Sequence, residues 1–189
     1  GRSSQSRMTE LETIRVLLVE DDEEDCFLVK ELLKEIKSRV HKLDWANNYS
    51  SGLTTMATNK HDVCLVDYRL GAQNGVELLK AAQAKGCTAP VIILTGMGQA
   101  EVDHAAMKAG AADYLIKGRI DSNQLERSIR YAVERNRAAA RAAFEHARLA
   151  AFGSQIGLAL MRRAALPAIL EGCAQAMVQY LNAALAQIW

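Results

Sequence analysis

Four apolar runs in this chain each end on a residue that could do chemistry. "IRVLLVE" (14–20) closes on Glu20, with Asp21 and Asp22 directly after it, and "VCLVD" (63–67) closes on Asp67. "PVIILT" (90–95) closes on Thr95, and "ADYLIK" (112–117) on Lys117. Short apolar runs rich in β-branched residues read as buried strands, so each polar group is delivered at a strand tip. Carboxylates gathered there repel one another unless a proton or a cation sits among them. Ligands that are all oxygen favour a hard ion, and Mg2+ keeps several waters while taking one or two carboxylates. An Asp, a Mg2+ ion, an amine and a hydroxyl suit a phosphoryl group. Asp67 is the candidate nucleophile, forming an acyl phosphate. The ion and Lys117 would neutralise the equatorial oxygens, and Thr95 would donate to one of them. Taken singly, each residue also has an ordinary reading: Asp22 as a helix cap, Lys117 as a solvated amine.

These tips need elements to hold them. Helical spacing in "DEEDCFLVKELLKEIKS" (22–38), a weaker strand at 41–46 and a poorly patterned helix at 50–59 follow the first strand. Helices at 75–85 and 99–110 follow the third and fourth strands, and a long helix begins near Asp121, with Gln124 completing a capping-box pattern. Five strand–helix units in succession imply an α/β fold, a parallel sheet covered on both faces. Ligands of such sheets sit beyond the carboxyl ends of the strands, where the strand order reverses. Glu20, Asp21 and Asp67 meet if the first and third strands are neighbours. The expectation is therefore a flavodoxin-like, doubly wound (βα)5 three-layer sandwich of order 2-1-3-4-5, with a C-terminal α-helical extension.

"VLLVEDD", "VCLVDYRLG", "VIILTGMG" and "ADYLIKG", in that order, resemble the signature blocks of response-regulator receiver domains over residues 14–131. The resemblance implies that Asp67 accepts a phosphoryl group from a histidine kinase or phosphotransfer protein. It implies that Glu20, Asp21 and Asp67 hold Mg2+, with Arg69 contributing its backbone carbonyl. Thr95 and Lys117 match the family's switch hydroxyl and lysine. Tyr114 falls where the family carries an aromatic rotamer switch; a core aromatic with a wet hydroxyl is the other reading. Such a domain signals by gaining and losing phosphate on itself and is no enzyme in the ordinary sense. One departure is Gly118, where the family usually has a cis-joined proline. A cis bond without proline costs about 2.5–4 kcal/mol, so a trans bond is expected. Two other functions compete. An Asp-nucleophile phosphatase usually places a second acid two residues after the nucleophile, where Arg69 stands here. A phosphorylation-independent dimeric scaffold would leave the acid, Thr and Lys set without a purpose.

The tail differs in kind. From residue 121 onward eight Arg face five acids, whereas the first 120 residues carry 15 basic and 17 acidic groups. The basic excess reads as a solvated helix face, and no nucleic-acid motif accompanies it. Leu125, Ile129, Ala132, Asn136, Ala139 and Ala143 follow heptad spacing. Glu126–Arg130, Arg130–Glu134 and Arg141–Glu145 are candidate i,i+4 ion pairs. A homodimer through the C-terminal helices is the expectation, against a single solvated helix. After Gly153, two helical pieces (155–164 and 166–185) resemble the opening of a GAF sensory domain. The expected organisation is 1–13 as a tag remnant and tail, 14–124 as the receiver, 125–150 as a signalling helix and 151–189 as the GAF-like start. The four scattered cysteines (Cys26, Cys64, Cys87, Cys173) read as reduced thiols of a cytoplasmic protein. His41, His61, His104 and His146 lack ligand spacing. No apolar run reaches the roughly 18 residues that span a bilayer.

Overall fold

The computed structural model describes residues 12–96, 100–161 and 166–181. Among the described residues seven strands and six α-helices follow one another as β1 (Thr13–Val19), α1 (Glu23–Glu35), β2 (Val40–Ala46), α2 (Tyr49–Met56), β3 (Val63–Asp67), β4 (Arg69–Leu70), β5 (Gln73–Asn74), α3 (Gly75–Ala84), β6 (Val91–Thr95), α4 (Ala100–Lys108), β7 (Asp113–Ile116), α5 (Ser122–Met161) and α6 (Leu166–Leu181). Residues 1–11, most of the expected tag remnant and tail, residues 97–99, including the first residue of the expected helix at 99–110, and residues 162–165 and 182–189 of the expected GAF-like start lie outside the described residues.

Five strands form a parallel sheet in the order β2-β1-β3-β6-β7. With the two-residue strands β4 and β5 set aside, this is the expected order 2-1-3-4-5. All five residues of β3 and of β6 are buried, as continuous apolar strands require when both faces are covered. Side chains alternate between the faces. Val16, Leu18, Leu65 and Ile92 meet Val29 and Leu33 of α1 and Leu125 and Ile129 of α5. Leu17, Val19, Val66 and Ile93 meet Met56 of α2, Leu78 and Leu79 of α3 and Ala106 of α4. Each fully buried Leu or Ile contributes about 1.5–3 kcal/mol, so both faces are anchored independently of the polar tips. Within the second cluster Cys64 and Cys87, distant in sequence, share a thiol hydrogen bond. That bond, then burial, pushes the Cys64 thiol well up.

Side-chain caps fix where helices begin. Asp22 accepts from the amides of Glu24 and Asp25 at 2.8 and 3.2 Å, so its role as a helix cap is real. Asn74 and Glu77 close a reciprocal capping box on α3, and Asp121 accepts from Gln124 N at 2.7 Å ahead of α5.

The chain divides into two compact units, 1–136 and 137–189. This changes the reading of the tail in two ways. Leu125, Ile129 and Ala132 are buried against the sheet of the first unit. The first half of the supposed heptad seam is thus core of this chain, because that sheet face needs a cover. Secondly, α5 does not stop near residue 150 but runs unbroken to Met161. Gly153 costs about 1 kcal/mol against alanine in a helix, too little to break an Ala-rich run. Of the expected ion pairs, Glu126–Arg130 forms at 3.2 Å, while Glu134 turns to Arg39 (3.5 Å) and Glu145 to Arg148 (2.8 Å). In the second unit Gln155 Nε2 donates to the Tyr180 hydroxyl at 3.4 Å, and Cys173 and Ala176 of α6 are buried. Among the described residues no helix is long and apolar enough to cross a membrane.

Candidate functional site

The strand register assembles the site. Val19 of β1 lies opposite Val66 of β3, so Glu20 and Asp67, each one residue further on, emerge side by side. The backbone of Glu20 is pinned on its far side: its amide donates to Ala46 O at 3.1 Å, and the indole of Trp45 donates to its carbonyl at 2.7 Å. Glu20, Asp21 and Asp67 each offer a carboxylate oxygen, all within 4.8 Å of one another. Glu20 and Asp67 are buried and Asp21 is exposed. Asp21 is held by the loop after β3, accepting from Gly71 N at 3.0 Å. That loop is the β4–β5 hairpin, whose turn uses Gly71 at φ +64°, a left-handed conformation that glycine takes at no steric cost.

Lys117, just past β7, reaches into the acids. Its Nζ lies 2.6 Å from Glu20 Oε2, 2.6 Å from Asp25 Oδ2 and 3.0 Å from Asp67 Oδ1. Nζ is hydrogen-bonded to Glu20 and Asp25, and its contact with Asp67 is an ion pair. Burial pushes the Glu20 carboxyl up to about 7, with the Lys117 hydrogen bond opposing and the Asp67 charge adding to the rise. Burial likewise raises Asp67, against the pull of Lys117 and the Tyr68 amide. For Lys117 burial alone would lower the ammonium, but the bonds to Asp25, Glu20 and Asp67 override it and the group is raised. The acids are thus over-supplied with negative charge and the lysine is firmly cationic.

Residues 16–130 match the family model for the response regulator receiver domain, well over half of the chain. The chain belongs to the response regulator receiver family. Relatives include the transcriptional regulatory protein ZraR of Klebsiella oxytoca, 31% identical over 126 residues, which are 67% of this chain and 28% of ZraR. The photosynthetic apparatus regulatory protein RegA of Rhodobacter capsulatus is 29% identical over 126 residues, 67% of each chain. The chain therefore spans less than a third of ZraR. Among solved structures, a response regulator receiver domain protein from Clostridium thermocellum superposes with a TM-score of 0.60 at 26% identity, covering 67% of this chain and 98% of that one.

The receiver's other expected residues are less tightly gathered. Thr95 ends β6, is buried, and donates its hydroxyl to the carbonyl of Gly96 at 3.2 Å. Tyr114 in β7 is half-buried and packs against the cluster on the α3 and α4 face. Arg69 opens β4 two residues after Asp67, with its side chain exposed. Lys117 to Arg119 form one 3-10 turn. No cis peptide occurs among the described residues, so Lys117–Gly118 is trans as expected. The donor set fits a hard divalent ion: three carboxylates share a space with one ammonium, and a buried acid among them is driven towards its proton in the ion's absence. Sequence reasoning missed Asp25. It stands in a run of first-turn acids, Glu23, Glu24 and Asp25, where such residues ordinarily serve the helix dipole, and nothing in its spacing singles it out.

Proposed function

We propose that this receiver is the phospho-accepting input of a cytoplasmic two-component response regulator. A kinase or phosphotransfer protein presents a phosphohistidine; an Asp67 oxygen attacks phosphorus, the P–N bond breaks, and the imidazole nitrogen leaves with the bonding pair and takes a proton. Attack of water on phosphorus later releases inorganic phosphate and restores the carboxylate. Mg2+, when bound by Glu20, Asp21, Asp67 and the Arg69 carbonyl, supplies positive charge to the equatorial oxygens. Lys117 neutralises the transferring group. Thr95 turns its hydroxyl from Gly96 to the phosphoryl oxygen, and Tyr114 moves inward behind it. The altered α4–β7–α5 surface then biases the helix at 125–150 and a homodimer formed through the C-terminal helices, a local charge event with a distant readout. Residues 151–189 are the start of a GAF-like sensory domain in this reading, and 14–124 the receiver proper.

The observation that carries the proposal is Lys117 Nζ lying 3.0 Å from Asp67 Oδ1 inside a cluster of three carboxylates. The test is acetyl phosphate with Mg2+, followed by intact-protein mass spectrometry. The expected outcome is one added phosphoryl group, lost on treatment with hydroxylamine and absent without the metal. An Asp67→Ala chain that is labelled as well as the wild type would refute it.

A further inference from the structure

Lys117 holds one partner that neither the metal site nor the acceptor role requires. Asp25 Oδ2 lies 2.6 Å from Nζ, as close as Glu20 and closer than Asp67. Of the three partners it alone stands outside the trio of converging acids, and its side chain is the most open to water, at 39% against 0% and 9%. Its place is set by α1, whose capping residue Asp22 holds the Asp25 amide at 3.2 Å. The Glu20 contact is equally fixed, since the other oxygen of that carboxylate accepts from Asp22 N at 3.2 Å.

We propose that Asp25 is a positioning residue that parks the Lys117 ammonium in the resting state and competes with the phosphoryl group for it. The inference rests on Asp67 being the acceptor and adds a restraint acting on the lysine from α1. At rest the Lys117 ammonium is hydrogen-bonded to Glu20 and Asp25 and ion-paired with Asp67, so moving it fully onto a phosphoryl oxygen draws it away from Asp25. A phosphoryl group on Asp67 extends beyond the present Oδ1 position and carries more charge. The amine follows it and stretches the Asp25 contact. This disfavours the phosphorylated state, so removing the Asp25 charge releases the lysine to the phosphoryl group.

The test is calorimetric titration of the full chain with beryllofluoride at saturating Mg2+. Asp25→Asn binds about fivefold tighter than the wild type, the scale of one partly exposed ion pair. Asp25→Glu, which keeps the charge, stays near the wild type. In a Lys117→Ala background, Asp25→Asn adds no affinity, because the effect runs through the amine. Mg2+ affinity measured alone stays within about twofold in Asp25→Asn, as expected of a residue that is not a ligand. Unchanged or weaker beryllofluoride binding by Asp25→Asn, or a gain that survives in Lys117→Ala, overturns the inference. A wild type that binds no beryllofluoride defeats the acceptor reading and this one with it. A wild type that binds, beside an indifferent Asp25→Asn, defeats this one alone.

Discussion

Glu20 is fully buried at this site, and its charge state reports the cost of that burial. Its carboxyl titrates near 7 in the native state, above its ordinary 4.5, because burial and Asp67 disfavour the charge more than Lys117 favours it. The native state therefore holds a proton that the unfolded chain gives up. The stability this group contributes is present below about pH 4.5 and is lost as pH rises through about 7. In EDTA, Glu20→Gln should melt higher than the wild type at about pH 8 and lose that advantage near pH 5. Saturating Mg2+ should reverse the order at about pH 8, since only the carboxylate rewards the ion. Differential scanning calorimetry of both chains decides it. Glu20, Asp67, Thr95 and Lys117 were legible before any fold was known because an apolar strand ending on a polar residue marks both a position and a direction. Asp25 was not, because its contact joins the first turn of α1 to the residue after β7, across more than ninety residues of chain.

At the scale of elements, the turn from β3 into α3 brings the start of the helix close against the end of the strand. The amide of Gly75 donates to Tyr68 O at 2.8 Å, and a Cβ at this position would press into the carbonyl oxygen of Asp67 and the Val66 side chain. Gly75→Ala must push the backbone of Asp67 aside. It should cost about 1–3 kcal/mol in urea unfolding and weaken Mg2+ binding as well. A surface change of similar size, such as Ala84→Gly, should leave Mg2+ binding intact. The hairpin between these elements was not foreseen, because "RLGAQNG" carries no apolar periodicity to reveal two-residue strands. The long helix misled in another way. Leu125, Ile129 and Ala132 repeat with a spacing that suits a partner helix and a sheet face alike. Only the sheet's need for a cover on that side decides between them.

For the whole molecule, the first unit supplies a closed core and the second leaves apolar side chains uncovered. Phe144 and Leu158, two heptads apart in α5, are both exposed, and that spacing returns them to nearly one face of the helix. If these helices join two copies, the full chain should sediment as a dimer at micromolar concentration and Phe144→Glu as a monomer, with phosphoryl-analogue binding unaltered. Equal sedimentation of the two chains would remove the helix face from the interface. The dimer is expected from apolar stripes, which announce a need for burial without naming what meets it, and the GAF-like start from a resemblance of sequence.

The continuity of α5 from Ser122 to Met161 has one further result. Each residue of an α-helix advances about 100° around its axis, so the number of residues in α5 fixes the angle at which its later side chains face. Removing one residue between 137 and 150 would rotate everything downstream by more than a quarter turn, leaving the acidic pocket untouched. Removing seven would bring the faces back to within about 20° of their original setting. Whole-heptad deletions therefore keep the faces of α5 in angular register, and single deletions do not.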